Sequence, residues 1–485
     1  MRRQVNYTDL MHGESEPRAS LFADLNLKFQ SKEVNPVTPA ELEPISPDGP
    51  GIVLSFGSNG YGRLGLGMNE SEYRDGARAV AIPRLIGTTL VANEMACGAG
   101  HVICCVGGVC HAWGKCHFGQ LGLGSEDMDC FAPTALPRDL FDGADIVRVG
   151  AGESHSLTID ARGCIWAFGC GFFGALGTGS EAHNTSPARV VLPQRAVDIA
   201  GGKAHTLAVG EDGSLWAWGR GQNGQLGLGG RWMSNSLCPR RVSVADDQST
   251  SGVARVFAGH SGNTSAALTS DGVLLLWGDN HHGLCSTGGT SVVHSPTKAL
   301  WPSLASSCVL DVAIGDAHAI VLCERLPAIS ILEAENEEVC AIKYQLEFKR
   351  SRDKSDSRSA GPVSVYSWGA PGPWLGRNPE FDGPQPLELA SNFVDVCSVA
   401  CGARHTALVT CQGYLLTCGN EYSGKLGRRV CGVDKPDWVP SPVVEFGAEA
   451  LREPGISAAK ARKYLAKAAV AGANHMHVLA LDEAR

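Results

Sequence analysis

Six histidines recur at one place in a repeating phrase. His101, His155, His205, His318, His405 and His475 each stand three residues after a glycine, at Gly98, Gly152, Gly202, Gly315, Gly402 and Gly472. Imidazole is the side chain whose unperturbed charge changes near neutrality, so such a set invites proton transfer, metal ligation or recognition of a charged partner. His475-x-His477 and His281-His282 offer paired nitrogens, but no cysteine or histidine stands at ligand spacing beside either pair, so no metal is expected. Gly169-x-Gly171-x-x-Gly174 and Gly219-x-Gly221-x-x-Gly224 spell a dinucleotide fingerprint. A working fingerprint follows a strand, opens a helix and has an acid about 20 residues on. These two instead run into Leu-Gly-x-Gly at one point of a repeat, and they read as turn glycines. The chain has neither a Gly-x-x-x-x-Gly-Lys-Ser/Thr loop nor a Gly-x-Ser-x-Gly turn, so no catalytic residue and no cofactor is assigned.

The elements that carry the histidines are short. Residues 202–229 read GKAHTLAVGEDGSLWAWGRGQNGQLGLG. TLAV and SLWAW are apolar and rich in strand formers, and Asp212-Gly213 between them is a hairpin signal because glycine supplies the positive φ of such a turn. The rest of the chain copies this phrase. Aromatic-Gly halves occur at Phe56-Gly57, Trp113-Gly114, Phe168-Gly169, Trp218-Gly219, Trp277-Gly278 and Trp368-Gly369, with a degenerate seventh at Cys418-Gly419. A seventh histidine half, AGHSGNT, puts Asn263 in the histidine position. The chain opens on an aromatic-Gly half and closes on a histidine half. Each is half a unit, and a ring that shares one blade between them removes two exposed sheet edges. The expected fold is therefore all-β: a seven-bladed β-propeller over 51–485, closed by the two terminal halves, behind a disordered tail at 1–50 that is rich in Pro, Ser and acids, with a short docking helix near 21–29.

Composition narrows the function. Glycine makes up 60 of 485 residues, an excess absorbed by repeated turns. The net charge of −9 gives no global attraction to nucleic acid or anionic membrane. No run of about 18 apolar residues suggests a membrane span. The 18 cysteines are scattered without a Cys-x-x-Cys, which points to reduced buried thiols and a cytoplasmic or nuclear setting.

These motifs resemble the regulator of chromosome condensation family, whose repeats carry the same Gly-x-x-His-Thr, Asp-Gly, Trp-Gly and Gly-Gln-Leu-Gly pattern. The resemblance covers about 51–485. It implies a propeller whose histidine face meets a protein partner; in that family the face contacts the small GTPase Ran, and the histidines with neighbouring acids promote nucleotide release. Carried over, the candidate partner face is His101, Glu153, His155, His205, Asp316, His318, His405 and His475. The family's exchange site favours an Asp immediately before one histidine, whereas these histidines follow Gly100, Ser154, Ala204, Ala317, Arg404 and Asn474. The plant ultraviolet-B photoreceptor, a related family, has Gly-Trp-Arg-His-Thr where this chain has Gly402-Ala403-Arg404-His405-Thr406, so photoreception is rejected. The purely structural reading gives each imidazole a backbone partner within its own blade.

Two insertions are private to this chain. From Gly315 to Gly369 is 54 residues, and the excess at 324–362 replaces a hairpin turn. There Ile342, Tyr344, Leu346 and Phe348 alternate with polar residues, the period of a half-buried strand, so a β-hairpin arm is expected on the face opposite the histidines. At about 447–467 the sequence predicts a short basic helix carrying Lys460, Arg462, Lys463 and Lys467. Four bases on one short helix read as a solvated face, and nucleic acid is not an expected partner. The chain thus reads as a protein-interaction scaffold, a monomer or part of a larger assembly. The alternative is a guanine-nucleotide exchange factor for a Ran-like GTPase acting through Glu153, His155, Asp316 and His318, which would need no covalent catalysis.

Overall fold

The computed structural model describes residues 51–482 except 68–78, 87–89, 231–233, 245–250, 300–306, 326–362, 378–382, 388, 390–394, 421–423, 429–436, 444–445 and 447–463. The tail at 1–50 and the arm residues Ile342, Tyr344, Leu346 and Phe348 lie outside the described residues.

Seven antiparallel sheets form seven blades. In chain order, blades I to VI start at the inner strands Glu94–Cys97, Ile146–Ala151, Ala196–Gly201, Val253–Ala258, Ser307–Ile314 and Val396–Cys401. Blade VII joins the two ends of the chain. Its inner strand is Tyr464–Ala471, followed by His475–Asp482, then Gly51–Ser58 and Ala79–Leu85, with Val91–Ala92 as a short addition. The register places Gly57 opposite His475, the pairing that His205 makes with Gly219 inside one continuous repeat. Inner strands of consecutive blades touch all the way round, and Tyr464–Ala471 returns to Glu94–Cys97. The closure expected from the two half-repeats is therefore present.

The aromatic of each aromatic-Gly pair is fully buried. Its indole does more than fill space. Trp113, Trp218, Trp277 and Trp368 donate Nε1–H to Arg63 O (3.1 Å), Ala175 O (3.0 Å), Gln225 O (2.9 Å) and Leu284 O (2.9 Å), each in the glycine loop of the preceding blade. That contact explains the glycine of Gln-Leu-Gly. A Cβ on Gly227 would lie 2.9 Å from Trp277 Nε1, and its φ of +68° is a conformation L side chains rarely adopt. Burying one such indole is worth roughly 4 to 6 kcal/mol of gross apolar transfer. The fingerprint-like Gly169 and Gly174 have φ of +103° and +78°, and a single 3-10 turn, Phe172–Gly174, stands there; they are turn glycines.

Two sequence expectations are corrected. Blade IV does not place Asn263 in the histidine position: Thr264 pairs with Gly278 there. The loop between Ala258 and Thr264 is two residues longer than the others, which shifts the register of the phrase. The basic helix fails at its C-terminal end. Tyr464–Ala471 is a strand and Lys467 is buried in it. Ala and Lys prefer helix in isolation, but this segment supplies the inner strand of the closing blade, and tertiary pairing overrides a propensity of a few tenths of a kcal/mol, roughly, per residue. Lys460, Arg462 and Lys463 lie outside the described residues. The flanks of the long insertion, His318–Arg325 and Val363–Gly369, stay paired up to Glu324 opposite Val363.

Candidate functional site

Each histidine phrase closes on itself. The glycine N–H donates to the carbonyl of its own histidine, at 2.9 Å for Gly98, Gly152, Gly202 and Gly402, 2.8 Å for Gly315 and 3.0 Å for Gly472. The imidazole folds back over that glycine, so a Cβ on Gly152 would sit 2.1 Å from His155 Cε1 and 2.5 Å from the next blade's Gly202 O. Only a residue without a side chain fits between the ring and the neighbouring blade.

The ring partner differs from the sequence expectation. His155 Nε2 lies 3.1 Å from Thr206 Oγ1, His205 Nε2 2.9 Å from Ser265 Oγ and His318 Nε2 3.0 Å from Thr406 Oγ1. These hydroxyls belong to the following blade. Each in turn donates back to the blade it came from: Thr206 to Ala175 O (2.9 Å), Ser265 to Gln225 O (2.8 Å) and Thr406 to Trp374 O (2.8 Å). A hydroxyl whose proton is spent on a carbonyl can only accept from the ring, so each of these imidazoles donates its Nε2–H. Ala175 O and Gln225 O also receive the indoles of Trp218 and Trp277. His155, His205 and His318 are inter-blade fasteners, whereas the ring nitrogens of His101, His405 and His475 have no hydrogen-bond partner among the described residues.

All six are buried, with at most 1% of their surface exposed. Burial lowers their pKa: His101, His205 and His318 to about 3 and His155 to about 4, with His405 and His475 well below the ordinary range. The two acids in the predicted set are less deeply buried, Glu153 at 8% exposure and Asp316 half-buried. Burial raises Glu153 to about 7, helped by the charge of Asp316 and opposed by Lys203 and Lys115. Glu153 Oε2 and Asp316 Oδ1 have no hydrogen-bond partner among the described residues. His260, on the longer loop of blade IV, is buried near them; burial lowers its pKa and Asp316 pulls it back up. Asp316 also lines a cavity of about 300 Å³ with Asn263, Thr264, Asp279, His281, His282 and Leu284.

A second group on this face escaped sequence reasoning. Tyr61, Phe118, Phe172, Phe173 and Trp374 are partly exposed on the loops that follow the aromatic-Gly pairs. They form a belt. Tyr61 meets His117 edge-on at 5.5 Å, and Phe118 meets Phe172 at 6.0 Å. Lys115 lies 4.7 Å over Tyr61 and Arg220 5.1 Å over Phe173. Tyr61 and Phe173 have φ of +62° and +61°, a left-handed conformation that is an outlier for a bulky residue. Strain of this kind costs on the order of 1 kcal/mol and gathers at functional sites. The available signal was positional: in blades VII, I and II an aromatic directly precedes the glycine five residues after that of the aromatic-Gly pair, at Gly62, Gly119 and Gly174, where blade III has Asn223.

One metal-capable group exists among the described residues, and the sequence pattern missed it. Cys97, 378 residues from His475 along the chain, brings its sulfur within 4.8 Å of ring nitrogens of His475 and His477.

Comparison with known proteins agrees with this architecture. The family description "Regulator of chromosome condensation (RCC1) repeat" matches residues 50–105, 107–159, 162–209 and 212–265, and a second description of the same repeat matches 196–225 and 396–425. Among curated relatives, the probable E3 ubiquitin-protein ligase HERC4 of Rattus norvegicus is 32% identical over 28% of this chain and 12% of its own length. The ultraviolet-B receptor UVR8 of Arabidopsis thaliana is 30% identical over 56% of this chain and 59% of its own. The chain therefore spans well under two thirds of the relatives it matches. Among solved structures, human WBSCR16 superposes with a TM-score of 0.65 at 21% identity over 89% of this chain and 99% of the other. Prp20p of Saccharomyces cerevisiae, described with its binding to Gsp1p and histones, gives 0.66 at 20% over 91% and 93%. At these identities the likeness is one of fold.

Proposed function

We propose that this chain, which belongs to the regulator of chromosome condensation (RCC1) repeat family, is a protein-interaction platform that receives its partner on the histidine-side face. The observation that carries this reading is the half-exposed aromatic belt of Tyr61, Phe118, Phe172 and Phe173 with basic groups over it, two of its members held in strained backbone. Rigid aromatics bordered by charge are the residues that dominate interface energetics. In this reading Glu153 and Asp316 offer partner-facing charge, and His101, His155, His205, His318, His405 and His475 keep the face rigid from behind. The setting we propose is cytoplasmic or nuclear.

The Phe118→Ala/Phe173→Ala variant tests the reading in affinity capture beside the wild-type chain. A partner recovered by the wild type and lost by the variant, with both chains melting within a few degrees, supports it. Retention of every wild-type partner by the folded variant refutes it. The same proteins, mixed with a Ran-type GTPase loaded with fluorescent GDP, test exchange. Accelerated release that Glu153→Gln and Asp316→Asn abolish would replace the platform with an exchange factor.

A further inference from the structure

We propose that Cys97, His475 and His477 form a binding site for copper(I) that clips the closing blade to the first blade. Cys97 ends the inner strand of blade I; His475 and His477 stand two apart on one strand of blade VII, hence on one face. All three are buried. Cys97 Sγ lies 3.6 Å from His477 Nδ1. Metal bonds of about 2.3 Å to sulfur and 2.0 Å to nitrogen, at angles between tetrahedral and trigonal, put those two atoms about 3.5 to 3.7 Å apart. The three donors lie within 4.8 Å of one another, so about 1 Å of contraction completes the set.

His475 supplies an independent observation. Both of its ring nitrogens are buried without a hydrogen-bond partner among the described residues. The reason lies in the following blade, where Val102 fills the position held elsewhere by Thr206, Ser265 and Thr406. The fastener found at three junctions is missing here, as it is for His101 and His405, but at this junction the unpaired imidazole stands beside a thiol and a second imidazole.

Charge selects the ion. Copper(I) replaces the thiol proton, Cys97–SH + Cu⁺ → Cys97–S–Cu + H⁺, and leaves the buried site neutral. The S–H bond to Val470 O is given up. A divalent ion on the same thiolate leaves one net positive charge in the interior, where an unpaired charge is costly, and Arg63 already acts on His475 with a like charge. One soft thiolate with two imidazoles is a donor set that suits copper(I).

The test is an anaerobic titration of the full chain with copper(I) held by excess bicinchoninate, which strips exposed thiols. The wild type should draw one equivalent more than Cys97→Ser, X-ray absorption should show one sulfur and two nitrogens on that copper, and copper should raise the urea midpoint of the wild type alone. His477→Gln, a more conservative change, should lose the same equivalent if Cys97→Ser fails to fold. Equal copper uptake by the wild type and both folded variants would overturn the site. Uptake of one zinc in preference to copper, with the same one-sulfur, two-nitrogen shell, would overturn the assignment of the ion.

Discussion

Seven histidines buried as neutral rings should make this propeller fragile in mild acid. His101, His205, His318 and His477 have pKa values held at about 3 and His155 at about 4, and burial takes His405 and His475 down as well. In the unfolded chain each would titrate near 6.5. Between about pH 6.5 and 4 the unfolded chain therefore binds protons that the folded chain refuses, and stability falls as pH falls. Each group contributes on the order of 1 kcal/mol per pH unit below 6.5, so seven of them at pH 5.5 remove on the order of 7 kcal/mol, comparable to the whole stability of many domains. Glu153 works the other way: its folded pKa of about 7 lies above its unfolded value, so it adds stability as pH falls toward 4.5, and Glu94, Asp198 and Asp311, also raised by burial, act in the same sense, four groups against seven. Urea midpoints of chelator-treated protein at pH 7.5, 6.5 and 5.5 give the slope, which should approach several protons taken up on unfolding. His205→Asn should lower that slope by about one proton. Equal midpoints at pH 7.5 and 5.5 would refute the reasoning, because they would mean that the rings are hydrated or already charged in the folded state.

Further outcomes follow from single contacts. Thr206→Val removes the acceptor of His155 and one donor to Ala175 O, and should cost about 2 kcal/mol in urea unfolding, with a non-additive cycle against His155→Leu. Gly152→Ala puts a methyl into His155 and the carbonyl of Gly202, and should cost about 3 kcal/mol or prevent folding, as judged by soluble yield and circular dichroism. Trp218→Phe removes one of the two indole rings from a fully buried site and loses one bond to Ala175 O, which Thr206 still serves, so calorimetry should show a loss of about 2 kcal/mol. Phe173→Asn should raise stability by up to about 1 kcal/mol by suiting the left-handed backbone, while weakening partner capture.

The architecture was readable because each blade repeats its reasons: glycines where rings press, an aromatic before each sheet turn, two half-phrases that need each other. Reasoning by phrase failed wherever geometry depends on a neighbour in space. His155 bonds to Thr206 across a blade boundary, a pairing visible only once consecutive blades lie side by side. Cys97 meets His477 because the ring closes, not because of any spacing along the chain. Thr264 took the histidine position because two extra loop residues moved the register, which letter matching read as Asn263. Tyr464–Ala471 looked helical because Ala and Lys favour helix when no sheet edge waits for them. The aromatic belt was overlooked because Tyr61, Phe118 and Phe173 vary in identity from blade to blade.

Closure through blade VII also has a cost in time. The strand Gly51–Ser58 leaves the ribosome more than 400 residues before its partner His475–Asp482 is made. At about 5 to 20 residues per second the first strand waits for tens of seconds with an edge unpaired. Six blades can stack meanwhile as an open arc whose two ends invite foreign strands. Loss of His475–Asp482 would therefore leave an arc rather than a slightly weaker ring.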